Sequence, residues 1–545
     1  MKEIRICSKD VIARTEKMAN KSCNVQRLSA GFIYGLPKVT HTSHTIAENY
    51  IMSRLIVSLP PFIGTSGSDL VVGQEDNALR AIGIEVLKNG VIDTQAGNDT
   101  IEGSTTGGTT DGTGTGIANS GTINAGRGDD IIEGSATGGT DGTGTGIANS
   151  GTIDAGRGDD TIEGAGTGGE SFFRRYLVPG IGISNTQGGY INGGDGKDLI
   201  SGIGKGGNLS IDDIKFVIGI KNTQDSRIDG GFGDDKITGT ALGLEDTGVG
   251  IFNTEGSDIN GGEGNDSIKG TGTAGTGATT AKGDGTGIFN SGGSVISGGK
   301  GNDSIIGIGN GGDASLQLNR SYDSGRGIGI SNSEGSTING DQGNDFISGT
   351  GIGGAGYYYD NPFGMGPEES APGVGIGIIN SGTISLGDGN DTIIGTGISL
   401  GTGILNTNGI ISSGAGADTL TGYGTSVGIQ GGTIDGGNGN DYFKARRIDA
   451  KGNPVSKQGG AIADVLIKGG YGDDTFDVGY GNATINGESG SDKLILPDFK
   501  SDYTILGSSS NYTIKRDQFT LNVLNVEEIA FLGVPLQDSM QGVTL

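Results

Sequence analysis

The sequence predicts an all-β fold, a right-handed parallel β-helix or β-roll solenoid of roughly 13–14 coils with side loops and a small β cap at the C-terminus. Three observations predict it: a Gly-rich turn ending in aspartate that recurs fourteen times, single apolar residues at fixed offsets on either side of each turn, and a composition too poor in large apolar residues for an ordinary core. Glycine supplies 116 of 545 residues, proline only 10, aromatic residues 5%, and tryptophan is absent. Without a Gly-X-Y period this is not collagen, which leaves a disordered chain or a thin, periodic repeat fold.

The repeat is clearest in two adjacent copies, GTGIANSGTINAGRGDDIIEG at 114–134 and GTGIANSGTIDAGRGDDTIEG at 144–164, one period of 30 residues apart. Taking the aspartate that ends each turn as a marker gives Asp69, Asp99, Asp130, Asp160, Asp198, Asp235, Asp266, Asp303, Asp345, Asp391, Asp418, Asp441, Asp474 and Asp492. Each has glycine two positions before it, an apolar residue two positions after it (Ile132, Ile200, Phe443) and another seven before it (Phe62, Ile123, Ile467). An isolated apolar residue between polar or small neighbours, as in Thr122-Ile123-Asn124, is a minimal strand with one side chain facing inward. Glycines between two such strands supply the positive φ of a tight turn. The unit is therefore strand, turn, strand.

A third apolar position recurs in Gly-Ile-x-Asn, from Ile117 and Asn119 to Ile404 and Asn406. Two readings stand for these asparagines: a ladder of stacked amides down one corner, or residues that merely suit a turn. Where the marker spacing exceeds the basic period, the surplus reads as side loops, at 170–180, 315–327, 353–373 and 444–460. The third of these carries Tyr357, Tyr358, Tyr359 and Phe363, a candidate contact for a ligand or carbohydrate.

Charge narrows the partners. The formal net charge is −27, from 63 acidic and 36 basic residues, which excludes nucleic acid as a partner because phosphate binding needs a basic surface. Residues 1–51 carry net +4, leaving −31 for the rest, and such an excess of carboxylate repels itself unless cations intervene. Cys7, Cys23, His41 and His44 all lie in that first segment, so zinc, disulfides and thiol or imidazole catalysis are excluded from the remainder. No apolar run reaches the length of a membrane span, and the first fifty residues lack the pattern of a secretory signal peptide.

The segment Gly193-Gly194-Asp195-Gly196-Lys197-Asp198, and the turns ending at Asp235, Asp266, Asp303, Asp441 and Asp474, read Gly-Gly-x-Gly-x-Asp and are followed by x-apolar-x. This resembles the nonapeptide of haemolysin-type (RTX) calcium-binding repeat proteins, a pattern known to form parallel β-helix turns. The resemblance covers residues 64–495. From Gly469 three nonapeptides run in tandem, GGYGDDTFD, VGYGNATIN and GESGSDKLI, the middle one without its aspartate. The family resemblance implies bound calcium as cofactor, with each ion between successive turns on one edge and held by the fourteen marker aspartates and by carbonyls of the turn. Calcium suits such a mixed oxygen set. Most copies pair one good nonapeptide with a degenerate partner such as GIANSGTIN, which predicts ions along one edge only.

The domain organisation read from composition is a basic segment at 1–51, a calcium-binding solenoid at 52–495 and a C-terminal β cap or secretion region at 496–545. In the last of these, strand-like runs at Tyr503–Leu506, Tyr512–Lys515, Phe519–Val523 and Val526–Phe531 replace the glycines, as a terminal coil requires. That tail resembles the one preceding or containing an uncleaved C-terminal type I secretion signal, which implies a secreted or cell-surface protein. Either Met1 or Met52 serves as the start.

The functional expectation is a non-enzymatic extracellular protein, a surface-layer, sheath or adhesive material that folds on binding calcium, with cell-surface polysaccharide or another surface protein as partner. The alternative is a polysaccharide lyase or epimerase on a β-helix, resting on Arg174, Arg175 and Tyr176 beside acidic turns. Neither a His-Glu-x-x-His motif nor a Gly-x-Ser-x-Gly elbow occurs. Each coil buries about three apolar side chains, worth ~1.5–3 kcal/mol apiece, against a backbone entropy of ~1–2 kcal/mol per ordered residue. The metal-free chain is therefore expected to be largely unfolded.

Overall fold

In the computed structural model, residues 54–108, 111–169, 178–206, 216–243, 247–275, 283–317, 320–322, 324–359 and 368–533 are described. The basic segment with its cysteines and histidines, the Arg174–Tyr176 cluster and Phe363 lie outside them. A typical coil has three strands, as in Gly144–Asn149, Thr152–Arg157 and Thr161–Thr167. The first two belong to one long sheet, and the third belongs to a 15-stranded sheet whose order follows the chain from Leu70–Ala78 to Glu528–Phe531. Coil stacks on coil in parallel and in register: Ile117 on Ile147 on Ile183, Ile123 on Ile153 on Ile191, Ile132 on Ile162 on Ile200. The chain is thus a parallel β-solenoid, as its periodicity predicts.

The core is these three columns, and every one of those isoleucines is at most 1% exposed. The sheets touch through glycine: a Cβ on Gly134 would lie 2.3 Å from the carbonyl oxygen of Gly146, and towards the C-terminal end the third column takes the buried rings of Phe443 and Phe476. Glycine here serves close approach and not flexibility. The thinness of the core is therefore built into the backbone spacing.

The asparagines form the ladder. Asn119 Nδ2 donates to Asn149 Oδ1 at 2.8 Å, and the chain of amides continues through Asn185, Asn222, Asn253, Asn290, Asn332 and Asn380 to Asn406 at 2.8–2.9 Å. The turn role holds as well, since Asn119 Oδ1 accepts the Gly121 N–H at 3.1 Å. Each buried amide satisfies a neighbour above, a neighbour below and its own turn.

The side loops branch from one corner. Within them Ser315–Gln317 pairs antiparallel with Arg320–Tyr322, and Tyr357–Tyr359 with Glu368–Ser370. The expected loop at 444–460 needs correction. Tyr442–Arg447 is a strand, so Lys444 through Arg447 are part of the coil. The reason is Arg446, fully buried, whose guanidinium pairs with Asp477 of the next coil and donates to the Asp477 carbonyl at 2.7 Å.

At the C-terminal end, Thr504–Ser508, Asn511–Arg516 and Phe519–Leu524 form an antiparallel meander. Phe519–Leu524 also pairs in parallel with Tyr480–Ser489, and Glu528–Phe531 with Lys493–Leu496, so both sheets gain one further layer. Arg516 lies between the rings of Tyr480 and Tyr503, 4.7 and 5.0 Å from their centroids, and ties the meander to the last coil.

Candidate metal centre

Each Gly-rich turn sits on the turn of the preceding coil. In the coil of Asp198, Gly194 and Gly196 have φ of 118° and 145°, and a Cβ on Gly196 would meet the Gly158 carbonyl oxygen at 1.9 Å. A side chain there is excluded both by conformation and by the neighbour. This nesting explains the glycine two residues before each marker from Asp99 onward, and it fixes where the marker side chain points.

The fourteen markers form a single row. Each marker amide donates to Oδ1 of the next marker, from Asp69 to Asp99 through to Asp474 to Asp492, in thirteen bonds of 2.6–2.9 Å. All fourteen residues are at most 3% exposed. At the N-terminal end the row is closed by Thr65, whose N–H donates to Asp69 Oδ2 at 2.6 Å. The expected single edge is therefore present as an unbroken file of carboxylates.

That file is electrostatically loaded. Burial pushes the carboxyls of Asp160, Asp198, Asp266, Asp345, Asp418 and Asp474 up to about 7, in spite of the amide bond from the preceding marker, and neighbouring aspartates push in the same direction. Asp235, Asp303 and Asp441 rise to about 6 for the same first reason, and Asp391 and Asp492 also rise. Without a cation these carboxyls take up protons at a higher pH than ordinary aspartates do.

A divalent cation fits what the residues offer. Oδ2 of Asp160, Asp198, Asp235, Asp266, Asp303, Asp345, Asp391, Asp418, Asp441, Asp474 and Asp492 is buried without a hydrogen-bond partner, an arrangement that costs stability unless something binds there. Beside it lies carbonyl oxygen: a Cβ on Gly230 would be 2.2 Å from the Gly261 carbonyl oxygen and 2.7 Å from Asp235 Oδ2. Glycine leaves that cradle open in this coil and in those of Asp198, Asp266, Asp303, Asp345, Asp441, Asp474 and Asp492, whereas Ala155, Leu386 and Ser413 stand at the same position before Asp160, Asp391 and Asp418. Among the described residues no three His, Cys, Asp or Glu side chains converge, so a metal would take one carboxylate per coil and complete its shell with backbone oxygen. That is calcium chemistry and unsuited to zinc. The other corner of the coil is filled by the uncharged Asn119–Asn406 ladder, so carboxylates gather on one edge.

Sequence reasoning missed a second file. The residue just before the marker is Asn or Asp in ten turns, and its side chain accepts from the backbone of the following coil: Asn302 N–H to Asn265 Oδ1 at 2.9 Å, Asn344 N–H to Asn302 Oδ1 at 2.7 Å, Asp473 N–H to Asn440 Oδ1 at 2.8 Å. This exposed file runs opposite to the buried one. The signal was present in the recurring Gly-Asn-Asp and Gly-Asp-Asp triplets.

Comparison with known families agrees with this geometry. A family model described as the RTX calcium-binding nonapeptide repeat, in four copies, matches residues 115–137, 222–241, 255–273, 290–307, 332–351, 433–445 and 466–495. No curated protein matches the chain. Among the described residues no helix is long and apolar enough to cross a membrane.

Proposed function

The chain is an RTX-type calcium-binding repeat protein, and on that premise we propose that it acts outside the cell as a structural, surface-layer or adhesive rod that calcium folds. The observation that carries this reading is the file of buried carboxylates, one per coil, whose second oxygen has no partner from Asp160 to Asp492. The marker aspartates are the proposed ligands, with turn carbonyls completing each shell. Bound calcium supplies charge neutralisation and a bridge between successive turns, so binding free energy becomes folding free energy.

The compartment follows from affinity. Extracellular calcium modules bind at ~10⁻⁴–10⁻³ M, far above cytosolic calcium, so the chain would remain unfolded until exported and would order outside. Export by a type I system through the C-terminal region is part of this proposal. A non-enzymatic role is supported by the fact that coils occupy nearly all of the described chain. The polysaccharide partner has a candidate seat in an outer cavity of about 850 Å³ spanning six coils, lined by Tyr190, Asn192, Phe232, Asn260, Lys300 and Gln342 among others.

Circular dichroism of the purified chain at neutral pH, first in chelator and then in millimolar calcium, tests the reading. A β signal that grows severalfold with calcium is expected, with magnesium a poor substitute because it demands a tighter octahedron. A full β signal already present in chelator, unchanged by calcium, would sink it.

A further inference from the structure

The carboxylate file does not end at Asp492. Its amide donates to Glu527 Oε2 at 2.9 Å, in the position where every earlier marker amide meets the next aspartate. The backbone repeats the pattern too: Glu527 and Glu528 N–H donate to the Asp492 carbonyl at 3.1 and 3.0 Å, as Lys493 N–H donates to that of Asp474 at 2.8 Å. A Cβ on Gly487 would lie 2.1 Å from the Asn525 carbonyl oxygen and 2.2 Å from Asp492 Oδ2. In the repeat that cradle is made by the glycine carbonyl of the following coil. Asn525 stands one coil on from Gly487, in the register set by the pairing of Asn486 with Leu524.

We infer that the cap builds a terminal calcium site of its own, with Glu527 standing in for a fifteenth marker aspartate and the Asn525 carbonyl for the missing glycine turn. The independent pointer to a ligand is Asp492: it is 1% exposed, and its Oδ2 has no hydrogen-bond partner and lies against the Asn525 carbonyl cradle. Glu527 itself is exposed, which gives an ion a way in from solvent. Asn525 and Glu527 are two residues apart where a nonapeptide places its first glycine and its aspartate five apart, and the longer glutamate arm spans the shorter turn. The neighbouring Glu528 is engaged elsewhere, 2.8 Å from Lys493 Nζ.

The inference rests on calcium binding by the repeats, and the test separates the two. Calcium alone is titrated calorimetrically into the full chain, into Glu527→Gln, which keeps an oxygen for the Asp492 amide but loses the charge, and into Glu528→Gln. E527Q should bind one ion fewer, while E528Q keeps the wild-type count. Hydrogen exchange read on the amides of Glu528–Phe531 should show protection whose calcium midpoint rises about tenfold in E527Q, since ligand charge sets affinity in such sites. An E527Q with the wild-type count and midpoint overturns the inference while leaving the array intact. Should E527Q not fold, the wild-type chain alone decides: equal protection of Glu528–Phe531 in chelator and in calcium overturns it. A wild-type chain that binds no calcium removes both readings.

Discussion

A marker aspartate does two jobs with two oxygens. Oδ1 caps the amide of the coil before it, and Oδ2, without a hydrogen-bond partner from Asp160 to Asp492, is the proposed calcium ligand, so a change at one marker is felt in two adjoining turns. Asp266→Ala, in the middle of the file, is therefore expected to abolish binding of two calcium ions in equilibrium dialysis. Asp69→Ala should remove at most one, because Thr65 already holds its carboxylate. Equal and negligible effects at both positions would mean that the turns need no metal. The markers were legible because glycine and apolar residues sit at constant offsets around them. Glu527 was not, because it takes over the role without any glycine beside it, and only the pairing of Glu528–Phe531 with Lys493–Leu496 brings it beneath Asp492.

Among the elements, the strands of the coil were readable from single isoleucines, whereas the strand Tyr442–Arg447 was not. Lys-Ala-Arg-Arg reads as a solvated loop, since charged side chains are almost never buried unless paired. The partner is Asp477, 31 residues on, which only coil-to-coil register places alongside. Asp477 Oδ2 also accepts from the Tyr442 hydroxyl at 2.9 Å, so the pair sits in a small hydrogen-bonded cluster. Arg446→Ala leaves that carboxylate largely buried without its cation, and a loss of about 3–5 kcal/mol is expected in denaturant unfolding followed in saturating calcium. Replacing both partners with apolar residues of similar volume should recover much of it. A single Arg446→Ala change that unfolds like the wild type would show the pair to be dispensable.

Over the whole molecule, the carboxylate file makes stability depend on protons as well as calcium. In the metal-free fold nine marker carboxyls are held at about 6 or 7 against an ordinary 3.8, so the folded chain binds more protons than the unfolded one. Their contribution is then fully present below about 4 and is lost as pH rises through 6–7. In chelator, thermal melting should therefore show a cooperative transition at pH 4.5 that weakens towards pH 6 and is gone by pH 8. With millimolar calcium it should persist at pH 8, because the ion displaces the protons. A chelated chain that grows more stable from pH 5 to 8 contradicts the assignment. This coupling was not legible in composition, which gives net charge but not which carboxylates are buried.

The insertions have a consequence of their own. They leave the coil after one register position, that of Thr137, Thr167, Lys205, Leu242, Thr273, Asn310 and Ile352, and re-enter at another, that of Gly144, Gly180, Gly285, Gly327 and Gly375. Residues 425–426 suffice for the crossing in one coil, whereas residues 353–374 make it in another. The backbone thus behaves like a printed page with a ruled margin: text of any length can be set in the margin without disturbing the lines. Segments remote in sequence become next-door neighbours along that margin, at the pitch of one coil. A new recognition surface could be composed there from several short, independent insertions while every coil keeps its register.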